Sequence, residues 1–213
     1  MIDFSSLPDQ PAKGHQRYAI GISGAAETGH CSITAEADTI KLAQEIARRG
    51  FILITGATSG VPFWAAKAAH EVGGFVIGLS PAASRAHHLK TYKLPTEYHD
   101  LIIYTGFEYA GRDLLLARAA DAMVTICGRT GTLHEFTTAF EDGVPQGVLL
   151  GSGGVADMIP DILTTSHRGS RTVVFDRDPI NLLNSLVVAI DAERAHTAKV
   201  AGANLAAAEG DDA

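Results

Sequence analysis

The sequence has few cysteines and no long apolar run. Cys31 and Cys127 are the two cysteines among 213 residues. Two cysteines in a chain of this length make no disulfide framework, so we expect reduced thiols and a cytoplasmic location. No apolar run approaches the roughly 20 residues that span a bilayer, and the first residues lack the charged and apolar segments of a secretory leader. These absences disfavour an exported or membrane-embedded protein.

Positive charge is also scarce. The chain carries 17 Lys and Arg against 24 Asp and Glu, which gives a formal net charge of -7. A broad electrostatic surface for nucleic acid or anionic lipid is therefore not expected. A phosphate group would have to be held locally, so the predicted partner is a phosphorylated small molecule, with no nucleic acid and no membrane.

Short β-branched runs alternate with helical patterns along residues 16–198. This alternation predicts one α/β domain, a Rossmann-like three-layer sandwich with a mostly parallel sheet of about seven strands. Strands are predicted at 18–22, 51–55, 75–79, 101–104, 123–127, 148–150 and 172–175, and helices at 34–49, 62–72, 112–120, 132–141, 155–163 and 179–195. Residues 1–15 and 199–213 are predicted to be an N-terminal tail and a disordered C-terminal tail, since neither segment buries much apolar surface.

Three glycine-rich turns follow predicted strands, at residues 21–26, 56–62 and 127–132. In an open parallel sheet, the carboxyl ends of the strands and the N-termini of the following helices face one crevice. Glycine lets the backbone approach a phosphate closely, and Ser and Thr hydroxyls add donors. One such turn is more often only a tight turn, but three in one sheet favour a phosphate site. The predicted binding residues, with Ser23 as a further candidate, are Gly24, Gly56, Thr58, Ser59, Gly60, Gly128, Arg129, Thr130, Gly131 and Thr132.

The turns do not match the commonest nucleotide fingerprints. The sequence has no Gly-x-Gly-x-x-Gly, no Gly-Lys-Ser/Thr and no acidic residue ending the second strand to hold a ribose. A dinucleotide cofactor and an NTPase loop are thus disfavoured, and no cofactor is predicted. His134-Glu135 lacks a second histidine four residues on, so no metal is predicted and His134 is interpreted as a structural or ligand-contacting residue.

The stretch from Gly111-Arg112-Asp113 to Cys127-Gly-Arg-Thr-Gly-Thr-Leu-His-Glu135 resembles the LOG family of cytokinin nucleoside 5′-monophosphate phosphoribohydrolases, long mislabelled as lysine decarboxylases. The family pattern there is Arg-Lys, followed by Pro-Gly-Gly-x-Gly-Thr-x-Glu-Glu. The resemblance implies that Arg112 and Glu135 are catalytic, and it implies a homodimer or higher homo-oligomer. The chain departs from the pattern at Asp113 for Lys, Cys127 for Pro, Arg129 for Gly and His134 for Glu. It is also similar to a wider LOG-like group of Rossmann proteins, which includes nucleotide binders and molybdenum-cofactor carriers.

Two functions follow from the resemblance. In the first, the protein cleaves the N-glycosidic bond of a nucleoside 5′-monophosphate to give free base and ribose 5-phosphate, with Glu135 stabilising positive charge or activating water. In the second, the protein binds or carries a nucleotide or the molybdenum cofactor, a pterin, without turnover. From the residues alone, Glu135 is equally well a surface acid favoured by the dipole of a helix N-terminus.

Overall fold

The computed structural model describes residues 17–167 and 171–210, with side chains described as far as residue 195. The strands are β1 (Ala19–Gly24), β2 (Ile52–Thr55), β3 (Phe75–Ser80), β4 (Leu101–Tyr104), β5 (Ala122–Ile126), β6 (Gln146–Leu149) and β7 (Val173–Asp176). The helices are α1 (Ala35–Arg48), α2 (Val61–Glu71), α3 (Arg85–Lys90), α4 (Glu108–Ala119), α5 (Thr130–Glu141), α6 (Ile159–Ser166) and α7 (Pro179–Gly210), and a short 3₁₀ helix (Gly154–Met158) precedes α6. No helix in the described ranges is long and apolar enough to cross a membrane.

The seven strands form one parallel sheet in the order β4-β3-β2-β1-β5-β6-β7. β5 and β6 are buried throughout because helices cover both faces, whereas β4, at an edge, alternates between exposed and half-buried side chains. On one face α1 packs against α2 and α7, and on the other α4 packs against α5. This architecture confirms the predicted single-domain Rossmann-like sandwich.

The strand order reverses between β1 and β5. The chain runs outward from β1 through β2 and β3 to β4 and then returns to place β5 on the other side of β1. At such a switch point the turns after the two strands diverge and leave a crevice at the carboxyl end of the sheet. The first and third glycine turns both lie at this point, because they follow β1 and β5.

Several helix boundaries differ from the predicted ones. α4 begins at Glu108 rather than Arg112, so Arg112 lies in the second turn of the helix. α3 was not predicted; the Ser84 hydroxyl caps it by accepting a hydrogen bond from the His87 backbone N–H. α7 extends to Gly210, so part of the predicted C-terminal tail has helical backbone. The predicted tail of residues 1–15 lies outside the described residues.

The expectation of two reduced thiols is wrong in this structure. Cys31 and Cys127 form a disulfide with their Cα atoms 5.6 Å apart, although 96 residues separate them in sequence. Cys31 lies in the loop between β1 and α1, and Cys127 directly follows β5. The two cysteines meet because β1 and β5 are neighbours in the sheet. Cysteine usage therefore no longer supports the predicted cytoplasmic location.

Candidate functional site

A cleft of about 400 Å³ lies at the carboxyl end of the sheet, beside the switch point. This volume lies in the range of small-molecule sites. The first and second glycine turns, α4 and the N-terminal half of α5 line it. Among the predicted site residues, those lining the cleft are Gly24, Gly56, Thr58, Arg112, Arg129, Thr130, Gly131, Thr132 and Glu135.

Four other predicted residues lie outside the cleft lining. The Ser23 hydroxyl donates to Glu135 Oε2, and the Ser59 hydroxyl donates to the Ala26 carbonyl at 3.1 Å. Gly60 precedes α2 as its N-cap, and Gly128 begins the turn into α5. These four residues hold the turns together and do not line the cleft.

The glycines of the three turns serve different purposes. A Cβ on Gly56 would lie 2.2 Å from Arg112 Nη1, so glycine is required there for the guanidinium to pass. A Cβ on Gly60 would lie 2.2 Å from the Ala25 carbonyl oxygen, where the first and second turns touch. A Cβ on Gly131 would meet no heavy atom within 4 Å. Of these three glycines, Gly131 alone leaves its space open to a ligand.

Arg112 is buried, with 4% of its surface exposed. Its Nη1 donates to the Gly56 carbonyl and, at 2.9 Å, to the Leu79 carbonyl, so it ties the ends of β2 and β3 to α4. Its Nε donates to Asp113 Oδ1 at 3.1 Å, and its Nη2 lies 3.4 Å from Glu135 Oε1. Most of the five donors of Arg112 are thus engaged within the protein.

Glu135 lies in the second turn of α5 and is 7% exposed, which rules out the surface acid that the residues alone allowed. Its carboxyl group accepts the Ser23 hydroxyl and faces Arg112. His134, the preceding residue, points its Nδ1 at Asp113 Oδ2 at a distance of 2.8 Å. Arg112, Asp113, His134 and Glu135 therefore form one connected network under the cleft.

Burial dominates the electrostatics of Glu135. The pKa of Glu135 is raised to about 7: burial is the largest cause, the Arg112 guanidinium opposes it, and the Asp113 carboxyl adds to it. Burial therefore favours the protonated form of this carboxyl group to a higher pH than at an exposed position. Such a group exchanges a proton readily but offers an incomplete negative charge.

The N-terminus of α5 is the best anion-binding element of the cleft. Thr130, Gly131 and Thr132 are the first three residues of α5, and their N–H groups have no carbonyl partner within the helix. Arg129 precedes them and pairs with Glu27 at 2.9 Å across the cleft mouth, with both side chains more than half exposed. The N-terminus of α2 is weaker, because Val61 N–H already donates to Ala25 O and Pro62 has no N–H.

Sequence reasoning missed two contributors to the site. Asp113 appeared only as a departure from the family pattern, yet it accepts from Arg112 and faces His134. Tyr109 lines the cleft, and its ring centroid lies 5.9 Å from Arg112 Cζ. Tyr109 and Arg112 are three residues apart on α4, so their common face would have been visible had the helix start been placed at Glu108.

The fold and the cleft together define a doubly wound α/β protein with a crevice at its switch point, into which the N-terminus of α5 opens. Within that class, residues 17–193 match the model of the SLOG cluster4 family, and the chain belongs to this family. The match confirms the LOG-like resemblance that the Arg112 to Glu135 stretch indicates.

Two similar solved structures are a molybdenum cofactor binding protein and a molybdenum cofactor carrier protein. The molybdenum cofactor binding protein of Rippkaea orientalis is 25% identical, with a TM-score of 0.65, covering 81% of this chain and 98% of that one. The molybdenum cofactor carrier protein of Chlamydomonas reinhardtii is 26% identical, with a TM-score of 0.63, covering 81% and 99%. Both likenesses extend over nearly the whole of the compared proteins.

DNA processing protein A from Helicobacter pylori, whose single-stranded DNA binding mode has been described, is similar at 18% identity with a TM-score of 0.56, covering 80% of each chain. At this identity the likeness shows the shared fold alone. The predicted absence of nucleic-acid binding in this chain stays a prediction.

Proposed function

We propose that the protein binds a phosphorylated nucleotide or pterin in the cleft and releases it unchanged. The phosphate lies at the N-terminus of α5, and the ring system lies toward Tyr109 and α4. The observation that carries the proposal is the closed network around Glu135, because the group expected to drive glycoside cleavage is buried, hydrogen-bonded to Ser23 and faces Arg112, and burial raises its pKa.

The proposed phosphate position is at the N-terminus of α5. Three free backbone N–H groups and the positive end of the helix dipole favour an anion there. Arg129 adds a guanidinium at the mouth that can exchange its exposed partner Glu27 for a phosphate oxygen. The open space over Gly131 lets the phosphate reach the backbone. The similarity to a molybdenum cofactor binding protein and a carrier supports the pterin among the candidate ligands.

Hydrolysis of a nucleoside 5′-monophosphate is the second candidate. Arg112 and Glu135 lie 3.4 Å apart beside the cleft, as the resemblance to phosphoribohydrolases implies for a catalytic pair. A pKa near 7 also suits a general acid or base. An oxocarbenium-like transition state, however, is best stabilised by a fully ionised carboxylate facing the sugar, and here the carboxyl group is engaged by Ser23 and Arg112.

One experiment separates the two functions. AMP, GMP and a phosphorylated pterin are titrated into the protein by calorimetry, and the same mixtures are analysed by chromatography for free base after prolonged incubation. Binding without release of base is the expected result. Release of adenine or guanine at many turnovers per protein would establish the hydrolase instead, and the absence of binding for all three compounds would refute both functions.

Gly131→Ala is designed to weaken ligand binding without lowering the stability of the fold. The added methyl group enters the open space over the helix N-terminus and meets no protein atom, while alanine stabilises a helix by about 0.5–1 kcal/mol relative to glycine. We expect unchanged or raised stability together with at least a ~10-fold loss of phosphate affinity. Gly29→Ala is the matched control, because its Cβ also meets nothing and it lies outside the cleft lining. If Gly131→Ala and Gly29→Ala bound phosphate with equal affinity, the phosphate would not bind at the N-terminus of α5.

We also propose that the protein is a homo-oligomer, as the family resemblance implies. Phe107, Tyr109 and Leu115, on and beside α4, are exposed apolar side chains of the kind that an interface between subunits would bury. Light scattering coupled to size-exclusion chromatography tests this, and a mass of one chain at micromolar concentration would contradict it.

A further inference from the structure

Three side chains with metal-binding chemistry converge behind the anion-binding turn. One ligand atom from each of His30, Cys31 and Cys127 lies within 4.8 Å of the other two. We propose that in the reduced protein these three residues bind one thiophilic metal ion of the Zn²⁺ type, and that the disulfide is the oxidised, metal-free form of the same site.

The donor set fits Zn²⁺. Two thiolates and one imidazole are a known three-ligand combination for zinc, with a water molecule or another small ligand in the fourth position. Zinc bonds of about 2.0–2.3 Å place neighbouring ligand atoms roughly 3.5 Å apart, a separation compatible with the present cluster once the disulfide opens. Cys127 is buried and His30 is exposed, so the open coordination position lies on the solvent side.

The surroundings of the cluster also fit a metal site. His30 Nε2 lies 3.2 Å from the Gly128 carbonyl oxygen, and donation along this contact leaves the lone pair on Nδ1. Metal-bound histidines regularly fix their tautomer by such a bond to a backbone carbonyl. Ser152 holds both cysteine loops: its hydroxyl accepts from Cys127 N–H at 2.8 Å, and its carbonyl accepts from Ser32 N–H at 2.9 Å. The ligands are thus presented by loops that are already tied together.

The two states interconvert by a balanced reaction. A dithiol supplies two electrons and two protons, the Cys31–Cys127 bond breaks to two thiols, and the dithiol becomes its own disulfide. Zn²⁺ then binds both sulfurs and displaces the two thiol protons to solvent. Because Cys127 directly precedes Gly128, either the metal ion or the disulfide links the β1–α1 loop to the turn that presents the N-terminus of α5.

The test compares reduced and oxidised full-length protein. Protein reduced under anaerobic conditions with a phosphine is desalted and titrated with Co²⁺ and then with Zn²⁺, and folding is checked by circular dichroism before each titration. We expect one Co²⁺ per chain with a thiolate-to-cobalt charge-transfer band, displacement by one equivalent of Zn²⁺, and no binding to the oxidised protein. Zn²⁺ is also expected to raise the melting temperature of the reduced protein only.

Single variants then assign the ligands. Cys31→Ser and Cys127→Ser are expected to lose the charge-transfer band or weaken it strongly, and His30→Ala to lower the Zn²⁺ affinity at least ~10-fold. His87→Ala, at a partly buried histidine on α3, is the control and should bind as the unmodified protein does. Reduced protein that retains no Zn²⁺, or undiminished Zn²⁺ binding by any of the three ligand variants, would overturn the proposal. Binding of phosphorylated ligands is measured separately, so the two proposals fail independently.

Discussion

Replacing Glu135 by glutamine tests the central electrostatic feature of the site. The variant keeps the shape of the protonated side chain and removes its titration. The pKa of Glu135 is raised from an ordinary value of 4.5 to about 7, chiefly by burial. The folded protein therefore holds this proton more tightly than the unfolded chain does. The resulting stabilisation is fully present below pH 4.5 and is lost progressively as the pH rises to about 7.

The size of the effect follows from the same shift. Each pH unit of difference between the folded and unfolded pKa corresponds to about 1.4 kcal/mol, so the rise from 4.5 to about 7 amounts to about 3 kcal/mol. The unmodified protein should lose about this much stability relative to Glu135→Gln between pH 4.5 and pH 8. Taking the difference between the two proteins cancels the titration of the other acids and histidines.

Urea unfolding of both proteins at half-unit pH steps, with the disulfide intact, measures this difference. Glu36→Gln, an exposed acid in the first turn of α1, is the matched control and should give a difference that changes by only a few tenths of a kcal/mol. If the stability difference between Glu135→Gln and the unmodified protein did not change with pH, burial would not raise the pKa of this carboxyl group. A difference of opposite sign would show that Arg112 outweighs burial and that the carboxylate is ionised, which would favour the hydrolase.

Three further predictions concern neighbouring parts of the site. Replacing Cys31 and Cys127 together by alanine should lower the free energy of unfolding by about 4–5 kcal/mol, because the crosslink closes a loop of 96 residues; urea unfolding that matches the oxidised parent would contradict this. Arg112→Met leaves buried carbonyl groups without a donor and should lower the free energy of unfolding by about 3–5 kcal/mol, measured by thermal unfolding. If the variant kept its stability but lost ligand binding, Arg112 would instead be a ligand-binding residue. Arg129→Ala should weaken phosphate binding about 10-fold in calorimetry and leave the melting temperature unchanged, since its ion pair is exposed; unaltered affinity would exclude Arg129 from the site.

The strands were predictable because buried parallel strands are nearly continuous apolar runs bounded by glycine, as β5 shows with all five residues buried. α3 was missed because six residues are too short to display helical periodicity. The start of α4 was misplaced because Gly111 resembles a helix boundary, whereas here it lies inside the helix against Phe107. Local sequence signals thus predict that a long helix or a strand is present better than they predict the residues at which it begins and ends.

Arg112 and Glu135 could be placed at one end of the sheet from topology, but the partners of each could not be inferred. Asp113 follows Arg112 directly, and neighbouring helix residues normally point in different directions. The cysteine pairing could have been predicted from the sequence, because Cys31 lies between the first predicted strand and the first predicted helix and Cys127 ends the fifth predicted strand, which places both at the same edge of a parallel sheet. The number of cysteines indicates how often disulfides occur in such chains, whereas the pairing of Cys31 with Cys127 depends on where the two residues lie in the fold.

The charge balance of the network decides what the cleft can do for an anion. Arg112 faces two carboxyl groups, Asp113 and Glu135, so its positive charge is already matched by Asp113 when Glu135 is protonated and is exceeded when Glu135 ionises. A phosphate therefore gains little net attraction from the buried guanidinium. The attraction must come from the N-terminus of α5 and from Arg129. Both elements suit the proposed site, which binds a phosphorylated ligand reversibly.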